Sequence, residues 1–169
     1  MGEKHKKKFA RWKSNLPEKT RWLVEAVEEK LIPEFEARGF VWSNNFFQRE
    51  DETVVQPFTL PFIRRGEGFQ DSLVINFEKH KSPRFGISFR RWTSVEMQQD
   101  QMWFPHYLTW KKSEKAQYKS FGLGALDLFA DKSRCEAVVD QVIALLPQVD
   151  ACMEQGAQGD NVSHTYRMK

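Results

Sequence analysis

The chain has 169 residues, of which 40% are hydrophobic and 29% are charged, with a net charge of +3. This length and composition are typical of one globular domain and exclude collagen-like, low-complexity and wholly disordered chains. Charged residues and prolines interrupt every hydrophobic stretch short of the roughly 18 apolar residues of a membrane helix, so we expect no membrane span.

Basic residues are concentrated at the N-terminus. Residues 1–13 contain six basic residues and one acid, a net charge of +5, so the remaining residues carry −2. We predict a basic flexible tail over residues 1–14, a single domain over 15–155 and a second flexible tail over 156–169.

The N-terminus lacks the apolar core of a signal peptide. Cys135 and Cys152 fall about 25 Å apart on one predicted helix, too far for a disulfide. We therefore expect a cytoplasmic protein.

The first predicted helix begins near Pro17, which is tolerated in a first turn. Apolar residues recur at helical spacing from Leu23 to Phe35. Pro33 has no N–H to donate, so we expect it to kink the helix or split it in two. Gly39 is expected to end the helix, because a glycine there adopts the left-handed conformation and lets Phe40 fold back.

Beyond Phe40 the period of the apolar residues changes to two, which is typical of an antiparallel meander. Short strands are predicted at Phe46–Arg49 and Thr53–Gln56. In the stretch that follows, Pro57 and Pro61 each remove a ladder donor, so we place this stretch at a sheet edge or outside the sheet.

The clearest pair of strands is Leu73–Glu78 with Arg84–Arg90. Apolar residues alternate in both strands, and one register aligns Phe77 with Phe85, Ile75 with Ile87 and Leu73 with Phe89 on the core side. The same register sets Glu78 opposite Arg84 on the outer side. A slip of one residue would break every match, so we predict a hairpin whose loop is Lys79–Pro83.

The C-terminal part is predicted to hold two further strands and a helix. The strands are expected at residues 102–110 and 121–129, separated by a charged loop. Asp131 or Ser133 caps the helix. Its buried stripe comprises Val138, Val142, Leu145, Val149 and Cys152. Helices on either side of a meander predict an α+β fold, with an antiparallel sheet of four to six strands and the N- and C-terminal helices packed on one face.

Motifs for catalysis or cofactor binding are missing from the sequence. Neither Cys-x-x-Cys nor His-Glu-x-x-His occurs and the four histidines are scattered, so we expect no metal and no cofactor. The Gly-x-Ser-x-Gly and P-loop patterns are missing as well. Gly122-x-Gly124 is a fragment of a dinucleotide fingerprint that close packing explains better. An enzymatic alternative stays open in the form of a carboxylate site, built from the scattered acids Glu67, Asp71, Asp127 and Asp131.

A nucleic-acid-binding sheet face is another alternative. Residues 64–92 contain seven basic residues and three acids, and strand alternation would send Arg84, Arg90 and Trp92 to one surface. Cations beside a flat ring suit phosphates and stacked bases. The net negative charge of the chain outside the N-terminal tail argues against this alternative.

Residues 103–110 are the favoured interaction site. Aromatic residues occupy both faces of this predicted strand and the core takes only one face, so the other set is left for a partner. Trp, Tyr and Arg are the residue types that interface hot spots favour. The predicted partner-binding residues are Trp103, Phe104, His106, Tyr107 and Trp110, with Arg90, Arg91 and Trp92 as neighbours.

The layout contains a helix, the Arg38-Gly39-Phe40 turn, the Phe46-Phe47-Gln48-Arg49 strand, a meander and a helix with Leu145-Leu146-Pro147. It resembles small bacterial families known only as domains of unknown function, and also the α+β immunity proteins of bacterial toxin systems, over residues 17–155. That resemblance implies a protein that binds one cognate toxin and has no catalytic residues. We therefore predict a non-catalytic protein-binding domain of a bacterial cytoplasm, with a toxin or a second copy of the chain as its partner.

Overall fold

The computed structural model of the chain describes residues 3–43, 56–78, 82–93, 106–112, 119–124 and 130–164. The helices are α1 (Glu3–Ser14), α2 (Glu18–Ala26), a π-helical turn (Val27–Leu31), α3 (Ile32–Ala37) and α4 (Lys132–Gln155). The strands are β1 (Val41–Trp42), β2 (Thr59–Gly66), β3 (Phe69–Phe77), β4 (Arg84–Thr93), β5 (His106–Leu108), β6 (Phe121–Gly122) and β7 (Val162–His164).

All pairs of neighbouring strands are antiparallel, in the order β1-β2-β3-β4-β5-β7, and β6 pairs with β4. Apolar side chains of the helices pack against one face of the central strands and form the core with them. The α+β prediction is confirmed, with seven strands in the sheet of the described residues where four to six were expected. Among the described residues, no helix is long and apolar enough to cross a membrane.

The predicted hairpin is formed by β3 and β4. Phe77 pairs with Phe85, Ile75 with Ile87 and Leu73 with Phe89, and the side chains of these residues are buried in the core. The Glu78 N–H donates to the Arg84 carbonyl over 3.0 Å where the loop begins. The ladder continues beyond the predicted ends to Phe69 opposite Thr93.

The first long helix divides where a proline enters it. The π-helical turn comes immediately before α3, which carries Pro33 in its first turn. Since proline has no N–H for the preceding turn, the hydrogen-bond pattern changes at this point, while the chain stays helical from α2 through α3. Gly39 then ends α3 at φ 81°. The Phe40 N–H donates to the Phe35 carbonyl and the Gly39 N–H to the Glu36 carbonyl, the hydrogen bonds of a Schellman motif.

The edge position predicted for the stretch around Pro61 was wrong. β2 contains Pro61 and pairs with β1 on one side and β3 on the other. The Pro61 carbonyl accepts from the Ser43 N–H, at 3.0 Å, on the β1 side. In an antiparallel ladder, the N–H and C=O groups of one residue point to the same neighbouring strand. The side of Pro61 that lacks an N–H therefore faces β1. That strand is only two residues long, so little of the ladder is lost.

In the segment predicted as a flexible tail, residues 1–14, the described part forms the helix α1. Phe9 is only 4% exposed and belongs to the core, and the Trp12 ring lies 5.5 Å from the ring of Phe77. His5 is also buried, with its ring 5.2 Å from that of Trp42. His5, Phe9 and Trp12 follow helical spacing, and this short apolar stripe is obscured in the sequence by the lysines around it.

The second predicted tail is also ordered over its described part. α4 ends at Gly156, whose φ is 67°, and the chain then returns to form β7 beside β5, with Val162 opposite Leu108. The Asn161 side chain donates to the Thr109 carbonyl over 2.9 Å, which fixes the approach to the strand. The tail prediction was therefore wrong for residues up to 164.

The long helix α4 begins as predicted. Its N-cap is Asp131, whose carboxylate accepts from the Arg134 N–H over 3.0 Å, and hydrogen bonds from Ser133 and Arg134 lower the pKa of this carboxyl. Of the predicted stripe, Leu145 is only partly buried and the other four residues are buried. Cys135 and Cys152 are both buried, and no disulfide joins them. The strands predicted at Phe46–Arg49 and Thr53–Gln56 lie outside the described residues, apart from Gln56.

Candidate partner-binding site

The predicted partner-binding residues that the structure describes lie on β4 and around β5. Trp103 and Phe104 fall outside the described residues. His106 and Tyr107 belong to β5 and are partly buried. Trp110 follows the end of β5 and is 44% exposed. It is therefore the aromatic residue of this group that is most open to a partner.

The two faces of β5 have different surroundings. His106 lies opposite Phe89, and the two rings stack at 5.5 Å between centroids. Leu108, on the same face, is buried in the core. Tyr107 points to the other side, where the Lys119 ammonium lies 4.3 Å from its ring centroid. The alternation expected for this segment is present within the strand, and one set of side chains does face the core.

The three neighbours on β4 do not form an exposed platform. Trp92 is 0% exposed, and the guanidinium of Arg90 lies over its ring at 4.1 Å. Val74 and Ser88, which share this sheet face, are buried too. The predicted stacking surface at Trp92 was therefore wrong. Strand alternation assigns a residue to one face of the sheet but does not show whether that face is covered.

Arg91 points to the opposite face and binds Asp71, which is 0% exposed. Its Nε and Nη2 donate to the two carboxylate oxygens over 2.7 and 2.9 Å. Arg64 donates to the same carboxylate from the other side, with Nη2 2.8 Å from Oδ2. Hydrogen bonding to Asp71 raises the pKa of Arg91. Arg91 is thus bound to a buried carboxylate while its own side chain stays 27% exposed.

The acids proposed for a carboxylate site are dispersed in the part of the chain that the structure describes. Asp71 is enclosed by arginines, Glu67 lies in the exposed turn between β2 and β3, and Asp131 caps α4. Asp127 lies outside the described residues. Within the described ranges, no group of three or more His, Cys, Asp or Glu residues is arranged to hold a metal ion.

Beside Trp110 lies a cavity of about 570 Å³. Its walls come from the first turns of α4, from β6 and from the start of β4. Two guanidinium groups line it, those of Arg84 and Arg134, together with Ser120 and Gln141. No carboxylate is among its described lining residues. The cavity therefore combines an exposed indole, two cations and neutral hydrogen-bonding groups.

A glycine allows β6 to approach β4 closely enough to form this wall. Gly122 has φ 152°, and a Cβ atom there would lie 2.1 Å from the Pro83 carbonyl oxygen. The next residue, Leu123, donates its N–H to the same carbonyl over 3.0 Å. Its own carbonyl accepts from Arg84 Nε at 3.4 Å, which orients the arginine at the cavity. Gly122 thus serves close packing, in line with the interpretation preferred from the sequence.

The arrangement suits an anionic group next to a flat or apolar one. Guanidinium groups bind carboxylates with paired N–H donors, and an indole offers a large surface with one polar edge. Sequence reasoning found Trp110 but missed Arg134, because that residue lies in α4 and lines the same cavity only in the folded chain. Arg84 was predicted to lie on a sheet surface. Nothing in the sequence indicated that β6 pairs with β4 at this position and makes Arg84 part of a cavity wall.

Comparison of the chain with protein-family models, curated proteins and solved structures finds no match.

Proposed function

We propose that this chain is a non-catalytic binding domain that holds an acidic segment of a partner protein in the cavity beside Trp110. The observation that carries the proposal is the position of an exposed tryptophan at a cavity where both charged residues among the described lining, Arg84 and Arg134, are cationic.

Each component of the site has a known role in recognition. Tryptophan and arginine are enriched among the residues that dominate binding free energy at protein interfaces. A volume of about 570 Å³ falls within the range of concave binding sites and accommodates several side chains. Charge complementarity would select the partner and orient it, since an acidic segment is attracted and a basic one repelled.

The proposed biological setting is a bacterial cytoplasm. The layout of the chain, which resembles that of α+β immunity proteins, supports a toxin-neutralising role. An immunity protein acts by binding alone and needs no catalytic residues. A second copy of the chain is the other partner to consider, and its acidic surface would have to enter the same cavity.

The test is affinity capture from the native host, using the full chain as bait. We expect a partner that is retained by the wild-type chain and lost with Trp110→Ala and with Arg134→Glu. Arg65→Glu is the matched control, because Arg65 is an exposed arginine at the opposite end of the sheet from Arg84. Retention by both cavity variants, or equal loss with Arg65→Glu, would contradict the proposal. Thermal unfolding of each variant verifies that the bait is folded.

A further inference from the structure

We infer that the exposed face of α1 is a second binding surface, which takes the phosphate backbone of nucleic acid without regard to sequence. This inference does not depend on the proposed function, since α1 contributes no residue to the cavity.

The cations of α1 are held in a fixed array. Six of its 12 residues are basic, and Lys6, Lys8 and Arg11 are among the exposed ones. The buried residues on the other side, His5 and Phe9, attach the helix to the core. The array therefore has the geometry of a rigid helix, which lowers the entropy lost when it binds a charged ligand.

Within the described ranges, few acids lie close to the exposed cations Lys6, Lys7, Lys8 and Arg11. Lys13 has a close partner in Glu28, at 2.7 Å. Lys7 and Glu3 approach to 3.6 Å, but both side chains are more than three-quarters exposed, so the attraction is weak in water. Lys6, Lys8 and Arg11 form no ion pair with any other described residue. A cationic surface is thus available on a chain whose remaining residues are net negative.

The dimensions match a polyanion. A 12-residue helix is about 18 Å long, and duplex DNA carries one charge per roughly 1.7 Å of axis. A length of about 18 Å of duplex therefore holds about ten phosphates on its two strands, and those on the side facing α1 would lie near its exposed cations. Contacts of this kind carry no base readout, so binding would be independent of sequence.

A membrane surface is the less favoured ligand. An interfacial helix inserts its apolar side between lipid headgroups. In α1 that side is already engaged, because Phe9 is packed in the core and Trp12 lies against Phe77. Nucleic acid requires only the charged side, which is the side that α1 presents.

The test measures binding of the full chain to a fluorescent 20-base-pair DNA duplex of mixed sequence over a range of salt concentrations. The logarithm of the binding constant should fall with the logarithm of salt concentration with a slope of about −4. The triple variant K6Q/K8Q/R11Q should bind at least tenfold more weakly at low salt, and the magnitude of its slope should be smaller by about 2.7. Circular dichroism and thermal unfolding establish that α1 is still folded in this variant.

The matched control is K111Q/K112Q/K132Q, which removes the same charge from three other exposed lysines. This control should bind the duplex nearly as the wild-type chain does. Equal weakening by the two triple variants would overturn the inference, because net charge alone would then explain binding. Binding to vesicles with 30% phosphatidylserine that is lost in the α1 variant, without duplex binding, would overturn it in favour of a membrane surface.

Discussion

Asp71 and Arg91 face each other across the ladder between β3 and β4, and the Arg91 Nε donates to the Asp71 carboxylate over 2.7 Å. Arg64 completes the cluster from β2, and it also approaches Asp150 of α4 to 3.7 Å. The row of apolar side chains on the helix-facing side of the sheet therefore ends in a buried ionic cluster. That cluster connects three strands to the C-terminal half of α4.

Replacing Asp71 with asparagine should destabilise the fold by about 3 kcal/mol, since two arginines would lose the charge that compensates them in a largely buried position. Urea unfolding measures the change. Asp160→Asn is the matched control, because the Lys112–Asp160 pair is about three-quarters exposed and should contribute under about 1 kcal/mol. Equal effects of the two substitutions would show that the Asp71 cluster contributes no more than a surface pair.

Gly122→Ala should loosen the wall of the cavity as well as the fold. The added Cβ would lie 2.1 Å from a backbone carbonyl of Pro83, so β6 must move away from β4. Gly39→Ala is the comparison, because Gly39 has φ 81° but no atom closer than 3.6 Å to the added Cβ. That variant should lose only about 1 kcal/mol from backbone strain. A smaller loss in melting temperature for Gly122→Ala than for Gly39→Ala would contradict this packing role.

Phe9→Ala should lower the free energy of unfolding by about 3 to 5 kcal/mol, the usual effect of truncating a buried phenylalanine. A disordered N-terminus would give no change. Lys6→Ala on the exposed side of α1 is the control and should stay within about 0.5 kcal/mol of wild type. Chemical denaturation of both variants tests whether α1 belongs to the folded domain, and matching values near zero would refute this.

The stability of the chain should decrease on acidification partly because of His5. Burial, with Lys8 and the N-terminus, lowers the pKa of His5 below 6.5 in the folded state. Between that lowered pKa and 6.5, the unfolded state binds more protons, so stability falls as the pH falls through this window. Above pH 6.5 the contribution of His5 is constant.

The variant His5→Phe keeps a ring at this position and removes the titration. Its free energy of unfolding should decrease less between pH 7.5 and pH 5.5 than that of the wild-type chain. Unfolding in urea at both pH values gives the comparison, in which the remaining histidines cancel. Parallel pH profiles for the two proteins would show that His5 is not responsible.

The sequence predicted the parts of the fold that depend on neighbouring residues. The register of β3 and β4 follows from alternation within two adjacent segments, so Phe77 and Phe85 could be paired correctly. The end of α3 at Gly39 and the cap at Asp131 are equally local. Each of these features is decided within a few residues of the chain.

The wrong or missing predictions concern features that depend on contacts between segments far apart in the sequence. α1 was predicted to be flexible because its many cations obscured the stripe of His5, Phe9 and Trp12, which is buried only by packing on the rest of the fold. Trp92 was placed at the surface because its sheet face was assumed to be open. The meeting of Arg134 with Trp110 at the cavity has no local signal in the sequence.

The proposed function is tested most directly by photo-cross-linking from two positions on α4 in the native host. Ala137 lines the cavity, whereas Ala144 is another exposed alanine of α4, two turns further along, that is not among the lining residues. A photoreactive amino acid at position 137 should cross-link an acidic segment of one partner protein, and the same group at 144 should not. Trp110→Ala should abolish the cross-link at 137. Equal cross-linking from the two positions, or capture of a basic segment at 137, would contradict the proposal.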